Sequence, residues 1–136
     1  MHSYGGIPGT EATKGYIKQD RSGRGSVVHL IYLSAFSLDE NVSAMDAIGN
    51  KPLPWWETVG DKQYRPINPR DVLFNDISKE RVEGIIAQLK DQSKGVFTSK
   101  MTYAGWKHVK STYIICEKDQ AVAPQVQEYL ATQPAT

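Results

Sequence analysis

Ser3 stands in "MHSYGGIPG", between a histidine and a tyrosine and two residues ahead of Gly5. A serine hydroxyl becomes a nucleophile when a base takes its proton and N–H donors stabilise the charge that develops on the attacked carbonyl. A sharp strand-to-helix turn supplies part of this geometry, because it exposes the hydroxyl and aligns the next residue's N–H beside the reacting oxygen. So tight a turn calls for small residues two before and two after the serine. Gly5 fills the second place and Gly6 follows it, but the first holds Met1. A polar terminus without fixed structure accounts for the same residues, so this stretch alone leaves both readings open.

Few other residues compete for chemistry. The single cysteine, Cys116, excludes an internal disulfide and a cysteine zinc cluster, and its apolar setting in "STYIICEKD" predicts a buried, unreactive thiol. The histidines, His2, His29 and His108, have no metal-ligand spacing. The glycine-rich start lacks the Gly-Lys-Ser/Thr ending of a phosphate loop, since Lys14 is followed by Gly15. No cofactor is expected. With 16 basic and 15 acidic residues the formal net charge is +1, which makes no electrostatic case for a nucleic-acid partner. Arg21 and Arg24 read as part of a solvated turn. The longest apolar stretch, Val27 to Leu33, falls far short of the ~20 residues of a membrane helix, so no membrane partner is expected. Trp55, Trp56, Tyr103 and Trp106 are candidates to line an apolar acyl pocket, with ordinary packing as the competing account.

The elements that must position these groups follow from periodicity. A length of 136 residues suits one domain. A helix is expected from about Thr10 to Asp20, with Thr10 as its cap. "SVVHLIYLSAF" reads as a strand buried on both faces. From Ser37 to Arg70 periodicity disappears, and Pro52, Pro54, Pro66 and Pro69 mark a long irregular insertion. "DISKERVEGIIAQLKDQ", residues 76–92, predicts a helix with Ser78 as N-cap and Val82, Ile85, Ile86 and Leu89 on its buried face. A short helical candidate covers Thr102 to Lys107, "STYIICE" is a second strand, and Pro124 starts a helix reaching about Thr132 with Val126, Tyr129 and Leu130 inward. Strands alternating with helices imply an α/β fold with a parallel sheet. Two such strands leave backbone edges unpaired, open to an oligomer or a partner that covers them.

Taken in order, these segments resemble the α/β-hydrolase family, especially its small-ester hydrolase branch related to plant methylesterases and hydroxynitrile lyases. The likeness rests on "MHSYGG", on "VVHLIYLSAF", on "FNDISKERVEGIIAQLKDQS", and on "FTSKMTYAGWKHVKSTYIICEKDQAVAPQVQEYL". It implies a partial α/β-hydrolase fold across residues 1–136: the C-terminal half of a parallel sheet with flanking helices and a cap-like insertion at about 37–107. It further implies that Ser3 is the nucleophile, that the Tyr4 backbone N–H is one oxyanion donor, and that Asp119 in "CEKDQ" is the acid that orients a catalytic histidine. Glu117 is the competing acid, set nearer the strand body.

The sequence departs from that pattern. The elbow strand, and the loop carrying the other oxyanion donor, are expected before Met1, and the catalytic histidine after Thr136. His2 is expected to point away from the site, His29 to lie satisfied inside a strand, and His108 to precede the strand at the end opposite the acid. The resulting expectation is a serine hydrolase truncated at both ends, inactive as this chain, whose parent cleaves a small apolar ester through an acyl-serine. The alternatives are a non-catalytic binding domain and lyase chemistry in the parent.

Overall fold

The segment Leu30–Ala35 forms β2, the middle strand of a parallel sheet in the computed structural model, which describes residues 1–17 and 23–135. On one side lies the two-residue strand β1 (His2–Ser3); on the other lies β6 (Ser111–Ile114). His2 and Ser3 pair with Leu33 and Ala35, and Leu30 through Leu33 pair with Ser111 through Ile114. Both pairings are parallel, so all three strands end at the same edge. This is the α/β arrangement expected from the alternation of elements. The last residues of the elbow strand are therefore part of this sheet rather than wholly ahead of Met1. Met1 itself continues the ladder, with its N–H donating to Ile31 O and its carbonyl accepting from Leu33 N.

The strand β2 is not buried on both faces. Leu30 and Tyr32 are buried, whereas Ile31 and Leu33 are 53% and 39% exposed. Ile114, opposite Leu33, is exposed with them. The covered face packs against Ala104 and Trp106, and Thr10 of helix α1 (Gly6–Glu11) reaches it through the Tyr32 hydroxyl. That hydroxyl contact, 2.7 Å from Thr10 Oγ1, shows why Thr10 is not a helix cap. It is fully buried inside α1 and ties the helix to the strand. The helix starts earlier than expected because Pro8 occupies its third position, where the missing N–H would have no partner in the helix anyway. Turns follow from Ala12, Ile17 bridges to Val27, and the end of the predicted helix, like Arg21, lies outside the described residues.

The stretch read as irregular holds a second, antiparallel sheet of β3 (Trp56–Val59), β4 (Gln63–Pro66) and β5 (Gln92–Ser93). A three-residue turn with Gly60 at φ 54 closes the first hairpin. Around it are α2 (Ala44–Ala47), α3 (Pro69–Leu73), α4 (Lys79–Ile86) and α5 (Lys94–Thr98). Helix α4 is shorter than predicted, because Gln92 and Ser93 are drawn into pairing with β4, and only Val82 of its expected face is buried. Thr102 to Lys107 contains one 3-10 turn, Gly105–Lys107. The final helix, α6 (Pro124–Thr132), has the expected limits. Leu130 and Gln127 are its buried residues, while Tyr129 is 56% exposed.

Candidate active site

The chain reverses between β1 and α1 within three residues, and Ser3 takes the strain. Its φ is 51, in the left-handed region that non-glycine residues enter only at a cost. Gly5 N bonds His2 O at 2.9 Å and Ile7 N bonds Tyr4 O at 3.0 Å, closing the turn. A Cβ on Gly5 would stand 2.9 Å from His2 O, so the small residue after Ser3 is required by backbone proximity. The small residue expected at position 1 is unnecessary for a specific reason. Met1 points its thioether over Gly9 of α1, where a Cβ would lie 2.5 Å from Sδ. The space is supplied by the helix rather than by the strand.

Tyr4 follows Ser3, and its backbone N–H has no hydrogen-bond acceptor among the described residues. Its side chain is anchored elsewhere: the hydroxyl donates to Val96 O at 3.0 Å and the ring meets Phe97 edge-on at 5.5 Å. Burial raises the pKa of this phenol above its ordinary value. An anchored side chain and an uncommitted N–H are what an oxyanion donor needs.

Asp119 lies in the loop between β6 and α6. Its Oδ1 accepts from Ala121 N at 2.8 Å and Val122 N at 3.0 Å, while its Oδ2 accepts from the Ser34 hydroxyl and, at 3.5 Å, from Gln127 Nε2. Gln127 is fully buried and braces the loop. Its Oε1 accepts from Cys116 N at 2.8 Å, and its Nε2 donates to Cys116 O at 3.1 Å and Val122 O at 2.7 Å. Glu117, the competing acid, is exposed and has no hydrogen bond of this kind among the described residues. Tyr113 lies beneath the strand ends, donating to Ala35 O at 2.9 Å. Burial, reinforced by the Asp119 charge, pushes its phenol up to about 12. Cys116 is half-buried rather than fully enclosed.

Ser3, Ser34 and Asp119 border one open groove of about 560 Å³. Ser3 and Tyr4 also border a second cavity of about 250 Å³, walled by Trp55, Trp56, Tyr64 and Phe97. Trp56 stacks on Tyr64 with centroids 4.9 Å apart and meets Phe97 at 4.4 Å. Trp55 Nε1 donates to Ala121 O at 3.2 Å, fastening this wall to the Asp119 loop. Trp106 is elsewhere. It is 7% exposed, packed with Leu30, Tyr32 and Ala35, and its indole N–H donates to Leu38 O at 3.0 Å.

His108 precedes β6 at the end opposite Asp119, as expected, whereas His29 departs from expectation. His2 borders the groove beside Ser3. His29 precedes β2 on the surface, bonded to Thr112 Oγ1 at 2.8 Å, rather than inside the strand. His108 stacks on Tyr103 at 5.4 Å. Among the described residues, no histidine hydrogen-bonds Ser3 or Asp119.

Comparison with known proteins places these features in a family. Residues 1–136 match the alpha/beta hydrolase family along their whole length. The chain belongs to that family. It is 33% identical over 139 residues to the alpha/beta hydrolase nvfD of Aspergillus novofumigatus, a match covering 97% of this chain and 55% of that protein. It is 31% identical over 128 residues to the probable hydrolase R7 of a Phoma species, covering 93% of this chain and 50% of that one. The chain thus spans about half the length of these curated relatives.

In this alpha/beta hydrolase, the sequence reading does not single out Ser34 and Gln127, which hold Asp119, or Tyr64 and Phe97 in the cavity wall. Ser34 and Gln127 each had a signal. Ser34 is a polar residue near the end of an apolar strand, and Gln127 falls between Val126 and Leu130 on the inward side of α6. The tryptophans separate by mutation. Trp106→Ala should cost about 3–5 kcal/mol of stability by leaving a cavity under β2. Trp56→Ala, at the wall of the second cavity, should cost less in urea denaturation. Equal stability losses would assign both tryptophans to packing.

Proposed function

We propose that this alpha/beta hydrolase acts as a serine hydrolase on small esters with an apolar acyl group, within the methylesterase-like branch of the family. Ser3 is the nucleophile, the Tyr4 N–H stabilises the oxyanion, and Asp119 orients the catalytic histidine, a place that His2, His29 and His108 do not hold in the described structure. The observation that carries this reading is the strained turn at Ser3, φ 51, between a parallel strand and a helix, with an uncommitted N–H next in the chain. Strain of this kind persists only where the surroundings enforce it, and it concentrates at functional sites. Ser3 and Asp119 bordering one groove, at the ends of parallel strands, supports the pairing of roles.

The steps balance simply. Ser3 Oγ attacks the ester carbonyl as its proton passes to the histidine. The tetrahedral oxyanion collapses, the C–O bond to the alcohol breaks, and the histidine returns the proton to the departing alkoxide. Water, deprotonated by the same histidine, then attacks the acyl-serine and releases the carboxylic acid with Ser3 restored. Residues 37–107 act as the cap: Trp55, Trp56, Tyr64 and Phe97 exclude water and receive the apolar acyl group.

The test is Ser3→Ala in the full-length protein, assayed with p-nitrophenyl esters of two to eight carbons and with a fluorophosphonate probe. Both turnover and labelling should vanish while the fold is kept. A folded Ser3→Ala protein that hydrolyses as fast as the parent would overturn the proposal.

A further inference from the structure

Ser34 is next to last in the middle strand, beside the candidate nucleophile, since His2 and Ser3 pair with the residues on either side of it, Leu33 and Ala35. It is 2% exposed and its φ is 40. A serine in the left-handed region within a strand is as unusual as Ser3 itself, and something must repay it. The hydroxyl donates to Asp119 Oδ2, a residue 85 positions away in the chain.

Counting acceptor sites shows what that bond does. An ionised carboxylate offers about four lone-pair directions, two on each oxygen. Oδ1 receives two N–H donors, from Ala121 and Val122. Oδ2 receives the Ser34 hydroxyl, and its other contact is the 3.5 Å approach of Gln127 Nε2, which is more closely engaged with Cys116 O and Val122 O. Oδ2 therefore has room for one further short hydrogen bond. The terminal torsion of an aspartate is soft, so with Oδ1 acting as a pivot the direction of that remaining lone pair depends on what grips Oδ2.

The geometry points to Ser34 as the positioning residue for Asp119: its hydroxyl, backed by the Gln127 brace on the loop, fixes the carboxylate so that Oδ2 presents its remaining lone pair to the histidine that activates Ser3. This rests on the roles proposed above for Ser3 and Asp119. Ser34 touches neither substrate nor reacting atoms in this scheme. It acts through Asp119, and the strained backbone at the end of β2 is what aims its hydroxyl across to β6's loop.

A double-mutant cycle in the full-length protein tests this, with p-nitrophenyl butyrate as substrate. Ser34→Gly removes the hydroxyl while suiting φ 40, so backbone strain does not contribute to the result. Ser34→Gly and Ser34→Ala should each lower kcat about tenfold or more with little change in KM. Introduced on top of Asp119→Ala, neither should lower kcat further. An equal fall in both backgrounds, or no fall in either, overturns the proposal. Amide exchange gives a readout independent of turnover: in Ser34→Gly the Ala121 and Val122 N–H groups should exchange faster while those of Tyr64 and Arg65 in β4 are unchanged. Unchanged exchange at 121 and 122 also overturns it. Ser3→Ala is run alongside, and full turnover in that variant would sink the serine-hydrolase reading while leaving the Ser34–Asp119 question to the exchange data.

Discussion

If Asp119 is the acid of the proposed serine hydrolase, Asp119→Asn is expected to reduce turnover on a small activated ester about 10⁴-fold, with the protein still folded. The replacement keeps an oxygen where Ala121 N and Val122 N donate, so the turn that carries the residue is preserved. At the other position an NH₂ replaces Oδ2. The Ser34 hydroxyl can rotate to accept from it, whereas Gln127 Nε2 then faces another donor. That mismatch should cost about 1 kcal/mol, visible as a modest fall in Tm. The catalytic cost is larger because an amide N–H cannot accept from the histidine, which then sits in the wrong tautomer for taking the Ser3 proton. The measurements are kcat by spectrophotometry and Tm by circular dichroism. Turnover close to the parent's would transfer the acid's role to another group, with Glu117 the first to examine.

The second large effect is on stability. Gly6→Ala should destabilise the protein by about 3 kcal/mol or more, at the upper end of what overpacking does. A Cβ at this position would stand 2.1 Å from Phe36 O and 2.9 Å from its carbonyl carbon. Both are backbone atoms at the end of β2, and Phe36 N is itself held by Ser3 O at 3.1 Å, so neither side can withdraw without breaking the turn. Gly84→Ala is the control. Nothing lies within 4 Å of a Cβ there, in the middle of α4, and the change should stabilise by about 0.5 kcal/mol through the unfolded chain's lost freedom. Urea denaturation of the two variants measures both. A Gly6→Ala protein as stable as its parent would mean that α1 and β2 do not approach as closely as the turn at Ser3 requires.

Much of this architecture was determined locally. Pro124, which suits a helix's first turn, and the apolar Val126 and Leu130 behind it are enough to set α6 at Pro124–Thr132. The β-branched and aromatic residues of "LIYLSA" determine a strand, and strands alternating with helices determine that the sheet is parallel. The glycines after Ser3 mark a turn that only small side chains permit. What lay beyond the sequence depends on which segments meet. Leu30 and Ile31 are comparably apolar, yet one is buried and the other faces outward, because only one face of β2 is covered. Trp55 and Trp106 are the same residue type, and only the packing assigns one to the cavity wall and the other to the core. The hairpin of β3 and β4 went unread since its four-residue strands are too short for alternation to register against prolines. Ser34 and Gln127 gain their meaning from Asp119, 85 and 8 residues away, which no local pattern reports. Periodicity records how a segment divides between water and interior; the identity of the atoms waiting in that interior is a long-range property, and only the tertiary structure decides it.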